Sequence, residues 1–145
     1  LAPLIRQKLP ETRLMQASGS AVYDLMRAAD VAIATSGTVT LEAALCGLPT
    51  VIVYRTSPLT AWIGRRVLRI AHIGLPNIVA DKRIFPELLQ EQVTPENMAA
   101  AAAVFLDKVR HEQVRADLQL VRERLGGPGA IGRVAGLALQ LAQKK

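Results

Sequence analysis

Short β-branched runs alternate with amphipathic stretches along the chain, the pattern of βαβ units around a parallel sheet. Val31–Ala34 and Thr50–Tyr54 read as strands, with a short one at Arg13–Gln16. A helix near Pro3–Leu9 is stopped by Pro10. A second, Ser20–Ala29, carries Val22, Leu25, Met26 and Ala29 at three and four spacing. A third runs from about Gly37 to Cys46, where Gly47 supplies a left-handed cap ahead of Pro49.

"SPLTAWIGRRVLR" then predicts a helix turning Leu59, Trp62, Ile63 and Leu68 to the core. The stretch "IAHIGLPNIVADKRIFPELLQEQV" mixes a short strand, a Pro-Asn turn and a helical turn. Thr94 and Pro95 are an N-cap and first-turn proline for an alanine-rich helix reaching Asp107. Helices at His111–Leu125 and about Ala130–Gln143 follow, separated by "GGPG". About four strands and three closing helices without strands between them predict the tail of a larger α/β domain. The opening "LAPLIRQKLP" reads as a helix already under way, so an N-terminal portion is expected before it.

At 145 residues the chain can bury about two-thirds of its unfolded surface, enough for one real core. Its composition, 50% hydrophobic and 3% aromatic, favours an α/β or all-α interior over disorder. The longest apolar run, Met98–Leu106, is far short of a bilayer span and predicts a buried helix. No secretory signal is visible, and a cytoplasmic location is expected. One cysteine, Cys46, excludes an internal disulfide framework and is expected to be a small core residue.

The formal charge of +6 and a pI near 10.1 raise nucleic-acid binding. Two Phe, two Tyr and one Trp provide no repeated stacking platform, and no helix-turn-helix or zinc-finger spacing is present, so no nucleic-acid partner is expected. A surface facing anionic lipid or a phosphorylated substrate explains the charge as well.

The stretch "ATSGTVTLEAALCGLPTVIVY", residues 34 to 54, carries the candidate chemistry. In an open parallel sheet, ligands bind beyond the carboxyl ends of the strands, where loops lead into helices. The first helical turn leaves N–H groups unpaired and carries partial positive charge, which suits phosphate oxygens. Gly37 permits close approach there, and the hydroxyls of Ser36 and Thr38 add donors. Glu42 follows Thr38 by four residues, about 6 Å up the axis, where a carboxylate can accept from a ribose diol. The same residues also fit plain capping, with Glu42 complementing the helix dipole.

Taken in order, "ATSGTVTLEAALCGLPTVIVYRTSPLTAWIGRR", "HIGLPNIVADKRIFPELLQE", "TPEN" and "LGGPGA" closely resemble the C-terminal half of the lipid-A-disaccharide synthase family, glycosyltransferases of the two-Rossmann-domain GT-B type. The resemblance covers nearly all of the chain. It implies a truncated Rossmann-like domain at 1–125 that binds a UDP-sugar, and a connector with a C-terminal crossover helix at 126–145. The implied reaction moves 2,3-diacylglucosamine from its UDP donor to 2,3-diacylglucosamine 1-phosphate, releasing UDP. Ser36, Gly37 and Thr38 would hold the pyrophosphate, Glu42 the ribose, and Asn77 a polar contact in the cleft. Arg55 would offset phosphate charge, and Glu87 and Gln90 would meet the nucleotide or sugar. Asn77 after Pro76 also fits a plain turn. The catalytic base is expected in the missing N-terminal half, and neither a metal nor a cofactor is implied.

Two other readings stay open: another UDP-sugar transferase or epimerase of the same fold, such as the muramyl-pentapeptide N-acetylglucosaminyltransferase, or a non-catalytic basic module that binds membrane or nucleotide. His72, one imidazole beside apolar residues, is expected to be structural. The family resemblance also implies peripheral contact with the anionic inner membrane and allows a homodimer of the full-length protein. Arg65, Arg66 and Arg69 fit a solvated helix face or, beside Trp62 and Ile63, a membrane-facing one. On the membrane reading, replacing all three by Gln weakens cosedimentation with anionic liposomes; unchanged binding leaves them as a solvated face.

Overall fold

A computed structural model describes Gln7, residues 11–57 and residues 71–143. Its centre is a three-stranded parallel sheet in the order β1 (Ala32–Thr35), β2 (Thr50–Tyr54), β3 (Glu87–Leu89). Ala32 pairs with Thr50 and Ile52 with Glu87, so the carboxyl ends of all three strands meet on one edge of the sheet. Parallel neighbours need crossovers. The first is α2 (Thr38–Cys46); the second includes α3 (Leu75–Ala80). Ahead of them lies α1 (Ala21–Ala28), and after them α4 (Pro95–Ala103), α5 (Lys108–Leu125) and α6 (Ala130–Gln143).

Val51 and Ile52 are fully buried although they point to opposite faces, which marks β2 as the central strand. They join Ala44 of α2, Ala80 of α3, Ile84, Phe85 and Phe105. Val114, Leu118 and Val121 complete this cluster from α5, at the three and four spacing of one helical stripe. Phe85 and Phe105 meet edge to face, with ring centroids 6.5 Å apart.

The helix ends follow from local chemistry. Gly47 takes a left-handed φ of 78° at the end of α2, and the amides of Gly47 and Leu48 return to Ala44 and Ala43. Thr94 caps α4 through Asn97 N at 3.2 Å, and Asp107 caps α5 through Arg110 N at 2.9 Å. From α5, Arg122 donates to Leu45 O and Arg124 to Val79 O at 2.9 Å. One helix thus satisfies late carbonyls of the two crossover helices.

Several expectations change. Arg13–Gln16 forms no strand: no described neighbour offers it a ladder, and an unpaired extended segment gains nothing from strand geometry. Three strands are therefore described rather than four. The run Met98–Leu106 is not a buried helix. Alanine has no bulk to cover one face, α4 stops at Ala103, a 3-10 turn covers Val104–Leu106, and of this run only Phe105 is buried. Asp107 does not end that helix but begins the next, at Lys108 instead of His111. Pro76 and Asn77 sit inside α3, where proline suits a first turn, and not in a Pro-Asn turn. Cys46 is half-buried rather than core.

Of the helix expected near Pro3–Leu9 only Gln7 is described, as helical. Leu59, Trp62, Ile63, Arg65, Arg66, Leu68 and Arg69 lie outside the described residues. Among the described residues no helix is long and apolar enough to cross a membrane. The apolar side chains of α6 are mostly exposed, Ile131 at 88%.

Phe105→Ala removes a ring that joins the 3-10 turn to Phe85, and is expected to cost about 3–5 kcal/mol. Denaturant unfolding of the variant checks this, and a loss under 1 kcal/mol contradicts the packing described.

Candidate functional site

The shared carboxyl edge of the sheet brings separate parts of the chain together. β1 runs out into Ser36 and Gly37, β2 into Arg55 and Thr56, and β3 into Gln90. Ser36 N donates to Val53 O at 3.3 Å, carrying the β1–β2 ladder one residue further. Gln90 closes the third side. It starts a 3-10 turn with a φ of 50°, and its Oε1 accepts from Thr56 N at 3.4 Å.

Gly37 is the N-cap of α2 and makes no side-chain cap. Among the described residues, a Cβ added there would touch nothing within 4 Å. Thr40 is fully buried, and its Oγ1 returns to Gly37 O at 2.7 Å, which ties the first turn to its own cap. The expected donor Thr38 is exposed at the first helical position. Glu42 is half-buried and has no hydrogen-bond partner among the described residues. Arg55 is exposed past the end of β2. The N–H groups of Thr38 and Val39, the Thr38 hydroxyl and Arg55 can therefore meet an anion, Thr40 N being bonded to Gly37 O, and Glu42 can accept from hydroxyls a turn deeper.

Ser36 donates within the fold. Its Oγ donates to Ile73 O at 2.9 Å, and a hydroxyl has one proton to give. That bond ties the mouth of α2 to the turn that leads into α3.

Asn77 and Glu87 are both buried, and they bind each other. Asn77 Nδ2 donates to Phe85 O and to Glu87 Oε1, each at 2.8 Å. Its Oδ1 accepts from Ile84 N and Phe85 N, each at 2.9 Å. Two donors and two lone pairs exhaust a primary amide, so Asn77 has none left for a ligand in the cleft. Glu87, 6% exposed, also accepts from Gly74 N at 3.0 Å and from Ile73 N at 3.0 Å. These two residues brace the site from behind.

Gly74 lets this happen. A Cβ there would collide with Ile52 Cδ1 and stand 3.2 Å from Glu87 Oε1, with Ile52 fully buried. The signal for this network was available in "GLPN" and "FPELLQ" as a glycine, an amide and a carboxylate, but nothing in their spacing places them side by side. His72 is half-buried next to this turn and carries no role in the network. Among the described residues no group of three or more His, Cys, Asp and Glu side chains is placed to hold a metal ion.

Comparison with known proteins gives the geometry a family context. The family model described as lipid-A-disaccharide synthetase matches residues 3–135. A lipid-A-disaccharide synthase of Geobacter metallireducens is 50% identical over 125 residues, covering 86% of this chain and 33% of the relative. One from Synechocystis is 42% identical over 145 residues, covering 97% of this chain and 37% of the relative. The chain spans about a third of the length of the curated relatives it matches.

Gly74→Ala is expected to destabilise by about 1–3 kcal/mol, because the new methyl must displace Ile52 or loosen Glu87. A lowered melting temperature of the intact protein checks it; an unchanged one means that the turn has room to move.

Proposed function

The chain belongs to the lipid-A-disaccharide synthetase family, whose members are GT-B glycosyltransferases, and from that premise we propose that it is the nucleotide-binding part of a glycosyltransferase of lipid A biosynthesis. The proposed reaction transfers 2,3-diacylglucosamine from its UDP donor to 2,3-diacylglucosamine 1-phosphate. The observation that carries the reading is the mouth of α2 on the sheet's carboxyl edge, where among the described residues nothing covers Gly37 and the Glu42 carboxylate, one turn inside, has no hydrogen-bond partner.

In this reading the diphosphate lies at the first turn of α2, against Gly37, Thr38 and the backbone N–H groups, with Arg55 offsetting its charge. The ribose lies one turn in, where Glu42 accepts from its hydroxyls. Gln90 borders the nucleotide or sugar. Asn77 and Glu87 act by shaping the cleft rather than by touching the ligand. Residues 1–125 are taken as the partial Rossmann-like unit, and 126–145 as the connector and crossover helix; the exposed apolar residues of that helix support a crossing toward a partner domain or another subunit.

Transfer breaks the bond between the anomeric carbon and the diphosphate oxygen and forms one to the acceptor hydroxyl oxygen, whose proton passes to a base. The helix mouth stabilises the leaving diphosphate as its charge grows. The base is assigned to the part of the protein outside these residues. The excess of Lys and Arg, net +6, supports peripheral contact with an anionic inner membrane on the cytoplasmic side, where acylated substrates reside.

Titration of the intact protein with UDP tests the proposal. Glu42→Ala is expected to weaken binding by about 1–3 kcal/mol, roughly 5- to 150-fold, as for a lost charged hydrogen bond. Wild-type protein that is folded and does not bind UDP overturns the nucleotide reading. Equal affinity of both forms moves the ribose away from Glu42.

A further inference from the structure

Ser36 has given its only proton to Ile73 O, 2.9 Å away, so only lone pairs of its hydroxyl remain for the mouth of α2. Lone pairs repel the oxygens of a phosphate. The Ile73 carbonyl is in turn held by its own residue's amide, which donates to Glu87 Oε2 at 3.0 Å and Oε1 at 3.2 Å. Gly74 N and Asn77 Nδ2 meet the same Oε1, at 3.0 and 2.8 Å. Three N–H donors thus converge on a carboxylate that is 6% exposed. A carboxylate only accepts, whereas a glutamine there would aim its own N–H bonds at one of these donors.

Resting on the nucleotide reading of the mouth, we propose that Glu87, Ile73 and Ser36 form a positioning relay for the phosphate site. Glu87 sets the turn at residues 73 and 74, and the Ile73 carbonyl takes the Ser36 proton. The phosphate oxygens are then received by the first-turn N–H groups of α2 and by Thr38, not by Ser36. Glu87 and Ser36 are positioning residues.

Rigidity is the reason for the relay. Ser36 immediately precedes Gly37, the N-cap of α2, and Gly37 has no side chain with which to anchor itself. The bond to Ile73 supplies that anchor. Behind Ile73, Asn77 binds Glu87 and, through Oδ1, the amides of Ile84 and Phe85, so the relay ends in the hydrophobic core.

The test is a double-mutant cycle in the intact protein with UDP as probe, joined to amide exchange at Ile73 and Gly74. Ser36→Ala and Glu87→Gln are each expected to weaken UDP about 3- to 10-fold, the scale of one lost hydrogen bond. Their combination should be no weaker than the worse single variant, because both cut one chain. Thr38→Ala and Ser36→Ala should instead multiply. Exchange at Ile73 and Gly74 should accelerate in Glu87→Gln while α5 stays protected.

The relay is overturned if the losses from Ser36→Ala and Glu87→Gln multiply, as for an independent phosphate donor, or if Ser36→Ala binds UDP as the wild type does. Unchanged exchange at Ile73 and Gly74 in Glu87→Gln overturns it as well. Failure of wild-type protein to bind UDP removes the nucleotide reading and is recognised separately, since the exchange data do not depend on UDP. If Glu87→Gln does not fold, Glu87→Asp, which keeps the charge and shortens the reach, takes its place in the cycle with the same outcomes.

Discussion

A buried carboxylate that is answered by amides is the constraint on which the site side of this molecule depends. Glu87 loses nearly all contact with water, and an isolated ion in that position would be far too costly to keep. Ile73 N, Gly74 N and Asn77 Nδ2 replace the lost hydration, and each comes from the turn or the helix that follows it. The requirement runs both ways. A turn in residues 73 and 74 without Glu87 would leave buried N–H groups unpaired, and Glu87 without the turn would leave a bare charge.

That mutual requirement explains the glycine and the amide around it. Gly74 must be bare because its backbone approaches both Ile52 and Glu87. Asn77 must be an amide because it gives two protons and takes two, linking the carboxylate to the backbone of Ile84 and Phe85. Apolar packing then secures the other end, where Phe85 joins Phe105 and the buried stripe of α5. Arg122 and Arg124 bring the same helix onto late carbonyls of α2 and α3. One long helix therefore steadies both crossovers.

The candidate site inherits its shape from this arrangement. A parallel sheet collects three loops on one edge, and the first helical turn after β1 supplies partial positive charge there. Among the described residues the side chains of Thr38, Glu42 and Arg55 have no hydrogen-bond partner at that edge, while Ser36 is tied back to Ile73. Polar residues near the mouth thus divide into those that can meet a ligand and those that hold the mouth in place. The chain belongs to its family over residues 3–135, and about two-thirds of the relatives' length lies outside what this chain matches.

By itself the sequence determined the local elements: β2 and α6 at their observed limits, α1 and β1 to within a residue, the left-handed turn at Gly47 and the Thr94 cap. These follow from near-neighbour physics, because β-branching, helical spacing and capping hydroxyls act over a few residues. It also pointed to the family through "SGTVTLEAALCGLP" and "GLPN". Only the tertiary structure decided what depends on distant partners. Arg13–Gln16 stayed irregular with no described strand beside it, and the alanine-rich helix gave way at Val104 to a 3-10 turn that buries Phe105. Ser36 became a tether across 37 residues. Asn77 and Glu87, ten residues apart, were expected from the sequence to face a ligand in the cleft; the fold buried them together, and burial obliged each to become the other's partner.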